Sequence, residues 1–398
     1  MDDELEICVG DVKEFFIEIL GRKHLHRPDN FPDGQFPVSV ADVDELVTGR
    51  PLPLSSVVLS RENSVIDQSL YRAEPGPSYP GPADCIDPVK VVRLVESGAT
   101  LVVRPASLHL PRLRAFCNSF ERSFGHGVDA DLFITPPDSR GFEIHADAAE
   151  SFVIQLTGTK DWELFEPVRS WQHRSFGAAP PGDLTPAARY RMRPGDLLYV
   201  PRGMPHLARS TDYASVHVTV SVNTICWSDL LGMLAKTALA LPEFQAPIPM
   251  GAELAGATAE QLPGVLARLS SLIGNLGSNK AFVDQVVRSR ENIGNALRPG
   301  LLANLIGADT VNPASSLRIR PGVWPVVRTA DNDVSIHVGP NRFPVSEQVA
   351  AACSLLLDRD IVGVGELSGA RATALSIART LIRCGIAESH RKDAEAPC

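Results

Sequence analysis

In EIHADAAESFVIQL (143–156), His145 and Asp147 stand two apart on ground that alternates between polar and apolar residues. On an extended strand that spacing turns both side chains to one face. Further along, RPGDLLYVPRGMPHLARS (193–210) contains PGD-x4-P-x-G-x-x-H, whose glycines and prolines set turns that aim His206 inward. An imidazole on a strand is more often satisfied or exposed than a ligand, and H-x-D alone is a weak signal. With the second histidine the set becomes two imidazoles and one carboxylate. That arrangement suits Fe(II) and leaves half of an octahedron open for oxygen and a chelating co-substrate. Three protein ligands rather than four point to catalysis rather than to structural metal binding.

Such a triad converges only if a barrel brings distant strands together. From 131 to 225 the apolar period is two: DLFIT, GFEIHAD, SFVIQLTG, DWELFE, RYRMRPGDLLYVP, HLARS and ASVHVTVSVNT read as strands separated by Gly, Pro and Asp turns. Many short strands at this spacing predict a barrel or jelly roll. Before it, helical spacing occurs over roughly 10–20, 88–97 and 108–124, with LVVRP as a short strand and YRAEPGPSYPGPADCIDP (71–88) as a loop or lid. After Asn223 the pattern is helical around 227–241, 258–275 and 279–295. From about 315 two strands, VWPVVRT and DVSIHVG, with two or three helices predict a winged-helix-like module.

The 398 residues suffice for two or three cores. A net charge of −9 argues against free-standing affinity for nucleic acid or anionic membrane and is compatible with a basic protein or peptide partner. Seven cysteines without a C-x-x-C pair read as reduced thiols rather than disulfides or a zinc site. The acidic MDDELEICVGDVKEFF lacks the pattern of an export signal, and LLGMLAKTALALP is too short to span a bilayer, so a cytoplasmic location is expected.

LFITPPDSRGFEIHADAAESFVIQLTGTKDWELFEP, RPGDLLYVPRGMPHLARS and SVHVTVSVNTICWSDLL together resemble the cupin-like JmjC-domain oxygenases of the ribosomal oxygenase type. FFIEILGRKHLHRP resembles that family's N-terminal entry, and GPNRFPVSEQVAAACSLLL with IARTLIRCGI its C-terminal winged-helix domain. The resemblance implies an α+β fold: a double-stranded β-helix (jelly-roll/cupin) barrel with an N-terminal α/β extension over 1–225, a helical dimerisation region over 226–312 and a winged-helix-like domain over 313–398. It implies Fe(II), 2-oxoglutarate as co-substrate and O2. It also implies hydroxylation of an amino-acid side chain in a protein or ribosomally made peptide, a ribosomal protein or a precursor peptide being the candidate partners, and a homodimer. No nucleic-acid or membrane partner is expected.

Carried over residue by residue, the metal ligands and catalytic centre fall on His145, Asp147 and His206. The basic residue for the distal carboxylate of the co-substrate falls on Lys160 in GTKDW. A buried lysine at the closed end of a barrel is costly unless an anion neutralises it; a lysine with its ammonium in water is the alternative. Thr135, Ser215 and His217 are further co-substrate candidates, each as readily satisfied within its strand. Asp131-Leu132-Phe133 stands where many members have Asn-x-Tyr, which puts the corresponding contacts in doubt. Glu150, three past Asp147, is expected on the opposite face and at the surface. In the C-terminal module acidic residues offset the arginines, so no stripe for a phosphate backbone is present. Two other readings stay open: a cupin metalloenzyme acting on a small molecule without 2-oxoglutarate, and a catalytically silent protein-binding scaffold.

Overall fold

The computed structural model describes residues 3–32, 35–74, 76, 82, 84–166, 185–245, 247–248, 254–278, 301–320, 323–330, 333–338 and 341–390. The expected helix at 279–295, parts of the 71–88 loop and Cys398 lie outside them. The chain divides into two compact units, Met1–Thr224 with Gly294–Cys398, and Ile225–Ile293.

The first unit is built on an antiparallel barrel of two sheets. The larger runs β1 (Leu25–Arg27), β9 (Leu197–Val200), β6 (Glu150–Thr157), β11 (Ser215–Asn223), β5 (Gly127–Thr135), β4 (Thr100–Val103), β2 (Val57–Arg61) and β3 (Ser64–Val65) in spatial order. The smaller runs β10 (His206–Ser210), β7 (Lys160–Leu164), β8 (Ala188–Met192). Alternation decides which side chains face inward. On β11, Val216, Val218, Val220 and Val222 join the main core, while His217, Thr219 and Ser221 face a cavity between the sheets. On β9, Leu197 and Tyr199 enter that core, whereas Leu198 and Val200 join a second cluster inside the barrel with Val153, Trp162 and Leu164. The outer face of the large sheet is closed by Phe15 and by Phe116 and Phe120 of the helix Pro111–Phe124.

Gly158 forms the turn between β6 and β7 at φ +66°, and a Cβ there would stand 2.1 Å from the Ala214 carbonyl oxygen. Only glycine fits a left-handed turn so close to backbone. That turn places Lys160 first on β7, with Lys160 and Trp162 inward and Asp161 and Glu163 outward, where they pair with Arg191 and Arg189.

GFEIHAD departs from the expected regular strand. Residues 138–145 run beside β10 but join it only in places: Ser210 N–H donates to the Ser139 carbonyl, and His145 and His206 exchange backbone bonds of 3.2 and 2.8 Å. Between these, Gly141 is held away by the β2–β3 hairpin, its carbonyl accepting from Ser60 Oγ (2.8 Å) and Asn63 N–H (3.1 Å). These competing donors break the ladder that alternation alone predicted.

The end of the first unit contains more strands than expected. β12 (Ser316–Ile319) lies between β16 (Ile361–Gly363) and β17 (Ala387–His390), and β13 (Pro325–Ala330), β14 (Asp333–Val338) and β15 (Asn341–Pro344) form a second three-stranded sheet. Helices Glu347–Arg359 and Arg371–Arg383 pack on these through Cys353, Leu356, Ile377 and Leu381. The three-to-four-residue edge strands are too short for periodicity to reveal.

The second unit holds the helices Trp227–Leu239 and Leu254–Ser278, the latter with Pro263 in its interior. Among the described residues no helix is long and apolar enough to cross a membrane.

Candidate functional site

His206 opens β10, and His145 sits opposite it on the interrupted segment, their rings 4.5 Å apart between centroids. Asp147 follows two residues later, and the Gly203 N–H donates to its carbonyl at 2.9 Å, tying the PRGMPH turn to the H-x-D turn. Asp147 Oδ1 lies 3.9 Å from His145 Nε2 and Oδ2 lies 3.6 Å from His206 Nε2. The three residues offer donor atoms that all lie within 4.8 Å of one another.

The outward nitrogens of the rings are committed. His145 Nδ1 donates to the Glu143 carbonyl (2.8 Å) and His206 Nδ1 to the Met204 carbonyl (3.1 Å). This tautomer presents both Nε2 lone pairs to the same point, as a metal-binding imidazole does when a carbonyl holds its other nitrogen. Burial pushes the His206 pKa down, opposed by the Asp147 carboxylate, so the imidazole is kept in the neutral, ligating form. Donor type, convergence and tautomer all fit a divalent metal with Asp147 toward the open side: its side chain is 47% exposed, that of His206 6%.

The cavity in front of this triad has a volume of about 910 Å³. Lys160 lines it, 4% exposed, and its Nζ donates to Thr135 Oγ1 at 2.9 Å; Thr100 Oγ1 continues the chain to Thr135 at 3.3 Å. Burial alone drives the Lys160 pKa down to about 7. No carboxylate among the described residues pairs with it, and a buried ammonium without a counter-charge is costly. His217 stacks on Phe133 at 4.7 Å and 4°, edge-on to Trp162. Its Nδ1 and Trp162 Nε1 are both buried without a partner, and burial followed by the charges of Lys160 and His206 holds its pKa well below the ordinary histidine value.

The structure thus brings His145, Asp147, His206, Lys160 and His217 around one space, with Thr135 behind it as the partner of Lys160. Ser215 is buried beside them, but its hydroxyl accepts from Gln155 Nε2 at 2.8 Å. Glu150 corrects the sequence reading: it faces away from the cavity as expected yet is buried, not at the surface, because Tyr199 Oη (2.5 Å) and the Arg202 N–H (3.1 Å) both donate to its carboxylate. Sequence reasoning also passed over Arg104, Asp129 and Phe142 in the cavity wall. The S-V-H-V-T-V-S-V-N alternation of β11 did carry a signal for Thr219, Ser221 and Asn223, which extend the wall beyond His217. Burial raises the Asp131 pKa to about 6, with Arg104, 3.9 Å away, opposing the shift.

Residues 108–230 match the JmjC domain family. The bifunctional lysine-specific demethylase and histidyl-hydroxylase NO66 of Aedes aegypti is 31% identical over 191 residues, which cover 45% of this chain and 30% of that protein. Ribosomal oxygenase 1 of Rattus norvegicus is 29% identical over 235 residues, covering 54% and 39%. The chain therefore spans less than half the length of these curated relatives. Among solved structures, the Escherichia coli ribosomal oxygenase YcfD in complex with cobalt and 2-oxoglutarate aligns with a TM-score of 0.57 at 14% identity, covering 96% of this chain and 99% of that one. The YcfD complex with cobalt and succinic acid gives 0.58 at the same identity and coverage. The JmjC/cupin-like barrel, the domain match and the relatives agree: residues 108–230 of this chain form a JmjC domain, and the chain is similar to proteins of the ribosomal-oxygenase type.

Proposed function

We propose that the protein is an Fe(II)- and 2-oxoglutarate-dependent hydroxylase of an amino-acid side chain within a protein or ribosomally made peptide. One observation carries this: a three-donor metal face and a buried ammonium without a carboxylate partner line the same cavity. His145, Asp147 and His206 would hold the metal, and Lys160, supported by Thr135, would take the distal carboxylate of 2-oxoglutarate. His217 and Ser215 are further candidates at that end. With metal, O2 and co-substrate bound, the site would supply oxidative decarboxylation: 2-oxoglutarate, O2 and R–H give succinate, CO2 and R–OH.

The chain's own residues orient and enclose. The backbone acceptors Glu143 and Met204 fix the imidazoles, Thr135 fixes the lysine, and Phe133, Trp162 and Val153 keep water from the closed end. The buried, unpaired Lys160 disfavours a metalloenzyme that dispenses with 2-oxoglutarate.

A polypeptide substrate is supported by the size of the cavity and by Asp129 and Asp131 in its wall, which suit a basic segment. The relatives' names, histidyl-hydroxylase, lysine-specific demethylase and ribosomal oxygenase, point to the same class. A homodimer joined through the helical region is supported by Trp227, 85% exposed, with Leu231, Leu262, Leu266 and Ile273 also exposed on its helices. The division into 1–225, 226–312 and 313–398, with a winged-helix-like last part and a cytoplasmic location, belongs to the same reading.

The test is incubation with Fe(II), 2-oxoglutarate and basic peptides or ribosomal proteins. Succinate release coupled to a peptide mass gain of one oxygen atom is expected. Hydroxylation of a free amino acid with no peptide activity would defeat the polypeptide reading. Light scattering tests the dimer.

A further inference from the structure

Glu150 is a buried carboxylate that the proposed chemistry does not use. It faces away from the cavity, and no cation side chain pairs with it at ion-pair distance among the described residues. Burial raises its pKa, with the Tyr199 hydroxyl, the Arg202 N–H and the charge of Arg202 opposing. An apolar side chain would fill such a place at lower cost, so the reason for a carboxylate lies in the two groups it joins.

Tyr199 is fully buried between Phe15 and Phe152, and its hydroxyl accepts from the Gly21 N–H at 2.8 Å while donating to Glu150. The oxygen is thus held by the packed core and the N-terminal segment. The same Glu150 oxygen, Oε2, accepts from the Arg202 N–H in the turn that leads into His206. That turn also supplies the Gly203 N–H bound to the Asp147 carbonyl and the Met204 carbonyl that fixes the His206 ring. The segment 145–150 and the turn 201–206 are therefore laced together by backbone at Asp147–Gly203 and His145–His206, and by a side chain at Glu150–Arg202. The turn is also tied to β7, where the Phe165 N–H donates to the Pro205 carbonyl at 2.9 Å and His206 pairs with Leu164; the Glu150–Arg202 contact adds a link through Tyr199 to the aromatic core at Phe15 and Phe152.

We propose that Glu150 is a positioning residue for the metal face: it anchors the 201–206 turn to the core and so sets His206 against His145 and Asp147. This rests on the metal reading above and goes beyond it, since Glu150 touches neither metal nor co-substrate. Outer-sphere partners of this kind typically contribute ten- to a hundredfold in metal affinity.

The test is Co(II) titration of the apoprotein, read by the visible absorbance of the bound ion, with thermal melting of the apo form measured in chelator. Glu150→Ala is expected to raise the Co(II) dissociation constant about tenfold or more and to alter the spectrum. Glu150→Gln keeps an acceptor for the Arg202 N–H and should stay within about threefold of the parent. Should Glu150→Ala fail to fold, Glu150→Asp, one methylene shorter, makes the same comparison. A variant that lowers the apo melting temperature but leaves Co(II) affinity and spectrum unchanged overturns the proposal, since Glu150 is then a packing element only. Failure of the parent protein to bind Co(II) overturns the metal reading and the proposal with it.

Discussion

Lys160 donates to Thr135 Oγ1 at 2.9 Å and, among the described residues, forms no ion pair although it is 4% exposed. A single neutral hydroxyl does not offset the cost of burying an ammonium. The free protein therefore carries strain at the closed end of its barrel that a carboxylate would relieve. Lys160→Met should lower the affinity for 2-oxoglutarate by about ten- to a hundredfold, the value of a charge-assisted bond, and at the same time raise the melting temperature of the ligand-free protein near neutral pH. Calorimetric titration and melting curves check the two signs together, and a loss of both affinity and stability would contradict the assignment.

The same lysine predicts a pH dependence. Its pKa is pushed down to about 7 from an ordinary 10.5. A cation whose pKa is lowered on folding destabilises the fold fully below the folded value, and the penalty is relieved as pH rises from about 7 toward 10.5. The anion needs the charged form, so binding takes up a proton above pH 7. Affinity for 2-oxoglutarate should weaken by up to about tenfold per pH unit above that value. In Lys160→Met this slope should vanish; an unchanged slope would assign it to another group.

Asp147 is the most exposed member of the triad and its only anion. Asp147→Ala should lower divalent metal affinity by more than about a hundredfold, beyond an outer-sphere change, with the melting temperature of the apo form little altered. Metal content after dialysis, read by mass spectrometry, is the measurement.

Asp131 sits beside Thr219 in the cavity wall with Arg104 at 3.9 Å. If it receives a basic side chain of the substrate, Asp131→Asn should raise the KM for a basic peptide about tenfold, while the affinity for 2-oxoglutarate stays constant. Equal losses in both would place Asp131 with the co-substrate instead.

Gly158→Ala should destabilise the protein by about 3 kcal/mol or more, because it combines a left-handed backbone with a Cβ driven into the Ala214 carbonyl. The denaturant midpoint gives the value. A near-neutral result would show that the β6–β7 turn can be rebuilt without glycine.

How far the chain could be read depended on how local the determining interaction was. The H-x-D pair, the PGD-x4-P-x-G-x-x-H turn and the valines of β11 were legible because side-chain direction in a strand and the backbone needs of a turn are settled within a few residues. The barrel, its inward faces and the triad followed from them, whereas Lys160 was placed only by the resemblance, its position alone being equally compatible with an ammonium in water. Glu150 was misread for the complementary reason. Its opposite-facing position followed from spacing, but whether that face met water or core depended on Tyr199 and on a turn more than fifty residues away. The same holds for Gly141, whose carbonyl is claimed by Ser60 and Asn63 and not by the strand beside it. Periodicity determined which way each residue points. What lies there was decided by the pairing of distant segments, since burial and hydrogen-bond competition are properties of the packed chain.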